Sequence, residues 1–128
     1  MTDYGVATVG RQVWSQRQLY EVMVDFWSNH LNVTNPSDRV WDNRQDYDRQ
    51  VIRKHALGRF DQMLEAAATH PAMLVYLDQA VSTKQHPNEN LARELLEIHT
   101  VGADEMSEDD VQNMARVLTG WRVDVYES

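Results

Sequence analysis

The sequence predicts an all-α fold, a single domain built as an irregular bundle of five or six helices. Apolar residues recur at three- and four-residue spacing along most of the chain, and no stretch alternates convincingly with period two. Polar or proline-containing breaks separate the periodic segments. With 128 residues, 42% of them hydrophobic and 25% charged, the chain can bury one real core.

The first helix is expected from Gln12 to Leu31. There Trp14, Leu19, Tyr20, Met23, Phe26, Trp27 and Leu31 form the apolar face. A long polar loop over 32–45 follows, broken by Pro36 and rich in Asn and Asp. The second helix spans Asp46 to Leu57, and Gly58 marks a tight junction. The third runs from Arg59 to Thr69, with Phe60, Met63, Leu64 and Ala67 on one face. Pro71 suits the first turn of a short fourth helix, where its missing N–H costs nothing. After the loop VSTKQHPN, the stretch NENLARELLEIHTVG reads as a fifth helix, with Asn88 as N-cap and Gly102 just past its end. Ser107 opens the last helix, where Ser107 and Asp110 form a capping-box-like pair. Val111, Met114, Ala115 and Leu118 line its inner face and Gly120 ends it. The tail WRVDVYES alternates weakly and reads as extended.

Composition narrows the function. The chain has no cysteine, which removes disulfides, thiolate nucleophiles and thiolate metal sites. The net charge of −8 is uneven: residues 1–59 carry eight basic and seven acidic side chains, and residues 60–128 carry four and thirteen. So acidic a surface disfavours nucleic acid and anionic membranes as partners. No apolar run spans a bilayer, and no signal peptide is visible after Met1.

The chemistry of the sequence rests on its histidines. On the fifth helix Leu91, Ala92, Leu95, Leu96 and Ile98 make a broad apolar face, and His99 falls near its middle. His30 falls between Met23, Phe26 and Trp27, and His55 between Val51 and Ile52. Three inward histidines on three helices have two readings. Each is a neutral core imidazole bonded to a carbonyl or carboxylate, or the three converge on a divalent metal such as zinc. In the second case the site is a metal-dependent hydrolase, with Glu94 at the margin of the apolar face as general base. No HExxH motif is present. His70 and His86 each precede a proline and read as capping or surface residues.

Other motifs have plainer explanations. Glu89, Arg93 and Glu97 follow at four-residue spacing and suit a surface ion-pair row. The carboxylates of ADEMSEDD complement a helix start and lack the ligand spacing of an EF-hand. The loop RVWDNR offers Trp41 with Arg39 and Arg44 for stacking on a ligand or partner, unless Trp41 folds back over the core.

FWSNHLNV, VIRKHALGRF, HPAMLVYLD, NENLARELLEIHTVG and ARVLTGW, in this order, resemble the central part of the bacterial family catalogued as domain of unknown function 1800. The resemblance covers nearly the whole chain. It implies a fragment or truncated relative of a larger protein, since family members are longer and many look exported. It implies no compartment for this chain and no established activity. His30, His55, His99, Asn88, Glu89, Asn90, Arg93 and Glu94 lie within its motifs. The chain departs from the pattern at GADEMSEDDV, where relatives carry a longer glycine-containing turn. The leading functional expectation is a non-catalytic helical scaffold or interaction module that associates with itself or with flanking regions of a larger protein. The metal-dependent hydrolase is the alternative.

Overall fold

The structure, a computed structural model, describes residues 3–34, 43–121 and 123. It is all-α. Seven α-helices are found among the described residues: α1 (Asp3–Trp14), α2 (Gln18–His30), α3 (Arg44–Tyr47), α4 (Phe60–Thr69), α5 (Pro71–Tyr76), α6 (Asn90–Glu97) and α7 (Glu108–Leu118). A π-helical segment, Asp48–Arg53, continues α3 without a break, and two short 3-10 turns lie at Gln79–Val81 and Ala103–Glu105. No described helix is long and apolar enough to cross a membrane.

The N-terminal region corrects the expected first helix. The chain turns at Ser15, Gln16 and Arg17, so Gln12 belongs to α1 and Leu19 to α2. The turn is held by polar groups that periodicity does not register. The Arg17 N–H donates to Ser15 Oγ, and Gln18 Nε2 donates to the Ser15 and Gln12 carbonyls. Trp14 and Leu19 flank this turn and are therefore exposed rather than inward.

One core joins the helices that follow. Val24, Leu31, Val33, Tyr47, Val51, Ile52, Met63, Ala67, Met73, Leu74, Leu91 and Leu95 are buried together. A smaller cluster of Ala92, Val111 and Ala115 fastens α7 to α6. Small residues at these contacts let the helix backbones approach closely, and larger side chains pack around them.

Several expected termini are built as the sequence implies. Ser107 Oγ accepts from the Asp110 N–H while the Asp110 carboxylate accepts from the Ser107 N–H, a complete capping box. His70 Nδ1 accepts from the Ala72 N–H at 3.1 Å and caps α5 ahead of Pro71. Asn88 sits one residue before the helix boundary position, yet its Oδ1 accepts from the Asn90 N–H at 2.8 Å. The same side chain donates to the Asp78 carbonyl, and its backbone N–H donates to Ser82 Oγ. Gly102 has φ +91° and donates to the Leu96 carbonyl, a left-handed exit from α6 that favours glycine. Most of the expected extended tail lies outside the described residues.

Tyr47 is fully buried, and its hydroxyl donates to the Leu31 carbonyl at 2.8 Å. Replacing it by phenylalanine leaves that carbonyl without its donor. Tyr47→Phe is expected to lose about 1 to 3 kcal/mol of unfolding free energy, read as a lower urea midpoint at unchanged slope.

Candidate functional site

Two regions concentrate polar chemistry. In the first, the C-terminal end of α2 meets the C-terminal end of α6. The His30 and His99 rings lie 5.7 Å apart, edge to face. His30 Nε2 donates to the His99 backbone carbonyl at 3.1 Å. Phe26 stacks on His30 at 6.1 Å, Trp27 meets it edge-on at 5.8 Å, and Phe60 tilts against it at 6.1 Å. His99 itself is buried, and its Nδ1 has no hydrogen-bond partner. Burial first, and the neighbouring His30 ring second, push the His99 imidazole below its ordinary value, opposed by the His30 backbone.

Of the three sequence-predicted ligands, then, His30 and His99 come together. The His55 ring makes no ring contact with either. Glu94 meets this corner through its backbone, where its carbonyl accepts from both the Ile98 and His99 N–H groups. Among the described residues no group of three or more His, Asp or Glu side chains is arranged to hold a metal ion. His70 belongs to a different corner, where Nε2 lies 3.3 Å from Asp46 and the ring meets Tyr47 edge-on. Burial lowers its pKa, and Asp46 only partly restores it.

The second region lies beneath α1. Arg11, Arg44 and Arg53 gather there with Glu21, Asp48 and Tyr4. Arg53 pairs with Glu21 at 2.6 Å, whereas Arg11 stands 3.9 Å from Asp48, too far for a hydrogen bond. The Arg44 guanidinium sits 5.4 Å from the Tyr4 ring centre and 5.5 Å from that of Tyr47. Arg53 sits 5.2 Å from the Tyr20 ring, whose hydroxyl donates to the Arg53 carbonyl. In an α-helix, residues five apart are turned by about 140°. The wider π turn brings Asp48 and Arg53 toward one side, and Arg53 is the strongest positive influence on Asp48. Even so, burial outweighs Arg53, Arg44 and Arg11 and raises the Asp48 pKa above the usual carboxylate value. Burial likewise raises that of Tyr4.

Two cavities open beside this group. One of about 670 Å³ is lined by Tyr4, Ala7, Arg11, Asp48 and Arg53. The other, of about 570 Å³, reaches Tyr4, Glu21, Val24, Val33, Arg44 and Asp48. Arg11 Nε and Arg44 Nη1 are both shut off from solvent and lack a hydrogen-bond partner among the described residues. A larger cavity, about 960 Å³, lies between the loop at Ser82–Glu89 and α7, with Lys84, Glu89 and Arg116 on its walls. Neither Arg11 Nε, Arg44 Nη1 nor any other buried unpartnered polar atom belongs to its walls, so the smaller cavities have the stronger chemical case.

Arg44 was expected on an exposed ligand-facing loop. It opens α3 and is buried between two tyrosines. Arg39 and Trp41, its expected companions, lie outside the described residues. Sequence reading missed Arg11, Glu21, Asp48 and Arg53. Their spacing resembles that of ordinary solvated charges, and no local pattern signals that α1 covers them. The one available hint is that Glu21 and Asp48 fall among apolar neighbours on their helices.

The lowered pKa values of His99 and His70 give a signed pH effect. Each imidazole takes up a proton more readily unfolded than folded. Their stabilisation is complete above the unfolded value of 6.5 and is lost as pH falls below it toward the folded pKa. Urea midpoints followed from about pH 7 to about pH 5 should therefore decline, and the decline should be shallower in His99→Gln.

Comparison with known proteins places the chain without supplying an activity. No curated protein and no solved structure matches it. A family model matches residues 1–127, essentially the whole sequence, and the chain belongs to the family described as protein of unknown function, DUF1800.

Proposed function

We propose that this chain is a non-catalytic helical interaction module that pairs with a second copy through the outer faces of α1 and α2. The observation behind this reading is the apolar surface of that hairpin. Val6, Val9 and Val13 are about half exposed or more, as are Leu19, Val22 and Phe26. At about 100° per residue, each set falls within an arc of about 60° on its helix. On α1 that arc lies opposite Tyr4 and Arg11, the residues that face the core side. None of the residues of α1 is buried. Apolar stripes at three- and four-residue spacing are the kind of surface that receives other helices with the same spacing.

Charge favours a like partner. The half of the chain that carries the stripes is nearly neutral, with eight basic and seven acidic residues, whereas the other half is strongly acidic. Two copies can meet through the first half without like-charge repulsion. A twofold pairing would lay each stripe against its own counterpart.

Light scattering coupled to size exclusion tests this reading. The chain should elute with the mass of two copies and dissociate on dilution. Val13→Glu combined with Val22→Glu should give the mass of one copy at every concentration while the helical circular dichroism stays unchanged. A wild-type chain that remains a single copy at high concentration would remove the self-pairing reading.

A further inference from the structure

We propose that Trp14 anchors the self-pairing: its indole enters the pocket at the α1–α2 turn of the second copy, between Leu19 and Leu57. The inference rests on the self-pairing reading and names the contact that holds the pair together. Trp14 is 79% exposed, although an aromatic side chain has about 150 to 250 Å² to gain from enclosure. Its ring leans back along α1 toward Gly10, where a Cβ would stand 3.5 Å from it. It therefore points away from the turn, and it is absent from the walls of the pocket there. That pocket, about 360 Å³, is lined by Gln16, Arg17, Gln18, Leu19, Tyr20 and Leu57. Leu19 and Leu57 are both exposed. Two of the polar walls are held in place. The Tyr20 hydroxyl donates to the Arg53 carbonyl, and Gln18 Nε2 donates to the Ser15 and Gln12 carbonyls. Walls already held lose little freedom when the pocket fills. Arg17 is the one charged residue lining it, and a guanidinium suits the face of an indole.

Position selects a second copy as the occupant. Knob and pocket belong to one turn, with Trp14 at the end of α1 and Gln16 to Tyr20 along the turn and the start of α2. Close to a twofold axis, a residue meets the neighbours of its own counterpart. An axis passing near this turn makes the Trp14 contact twice and closes the assembly at two copies. The contact also borders both apolar stripes, because Trp14 follows Val13 and Leu19 is itself a wall of the pocket. Area agrees with this arrangement. A stable interface buries about 1,200 to 2,000 Å² in total. Two enclosed indoles contribute about 300 to 500 Å² of it, and the stripes add to that. A tryptophan seated in a pocket is the kind of anchor that carries a large share of an interface's binding energy.

Light scattering over a dilution series reads the dissociation constant of the pair for the wild type, Trp14→Ala, Leu57→Ala and the double variant. Both residues are exposed, so helical circular dichroism should stay unchanged in all four. Each single variant should raise the constant, Trp14→Ala by about tenfold or more. The double variant should raise it by less than the product of the two single effects, because both remove the same contact. Fluorine NMR of the chain labelled with fluorotryptophan reads the anchor without destabilising it. The resonance missing from Trp14→Phe should shift with concentration in step with the mass. A wild type that stays a single copy would remove self-pairing and the anchor together. A wild-type pair that Trp14→Ala leaves unchanged would overturn the anchor while self-pairing stands. Leu57→Ala without effect, or single effects that simply multiply, would overturn the pocket.

Discussion

The buried ring of Tyr47 is the constraint on which most of the structure depends. Its hydroxyl holds the Leu31 carbonyl just past the end of α2, its face receives Arg44, and its edge meets His70 at the start of α5. Two segments distant in sequence, the end of α2 and the start of α5, are thus referred to one side chain. The arrangement is directional in a way that apolar packing is not, because a buried hydroxyl needs its acceptor and a ring quadrupole prefers a cation over its face. Burial also raises the Tyr47 pKa, so the phenol keeps the proton that it donates. The aliphatic core of Ile52, Met63, Met73 and Leu91 then closes around a frame already oriented.

The charges beneath α1 follow from that frame. Arg44 precedes Tyr47 by one helical turn and is drawn against the same ring, which carries its guanidinium inward. Asp48, Val51 and Ile52 of the π-helical segment that follows are all buried. Buried charges are costly unless paired, and beneath α1 Arg53 pairs with Glu21 at 2.6 Å. The remaining groups are held in place by tertiary packing despite unsatisfied donors.

The histidines show how far helical periodicity reaches. It set His99 on an apolar face, and His99 is buried. It could not show which other face this one meets. The contact between His30 and His99 runs through the His99 backbone carbonyl, which periodicity does not describe. His70 was legible as a cap because Pro71 follows it, but its partner Asp46 lies 24 residues earlier and left no local trace. Phe26 and Ile98 count as core by pattern and are half exposed, since an apolar arc does not state how much of itself a neighbour covers.

By itself the sequence determined the all-α class, the positions of α4, α5 and α7, the Ser107–Asp110 capping box and the glycine exit at Gly102. Each depends on residues within a few positions of one another, where propensity and capping act locally. The tertiary structure alone decided that the expected first helix is two, that a π turn lies between Asp48 and Arg53, and that Arg11, Arg44 and Arg53 gather around Asp48. Those outcomes depend on hydrogen bonds, desolvation and charge between residues tens of positions apart. Such energies exist only once the chain has closed on itself.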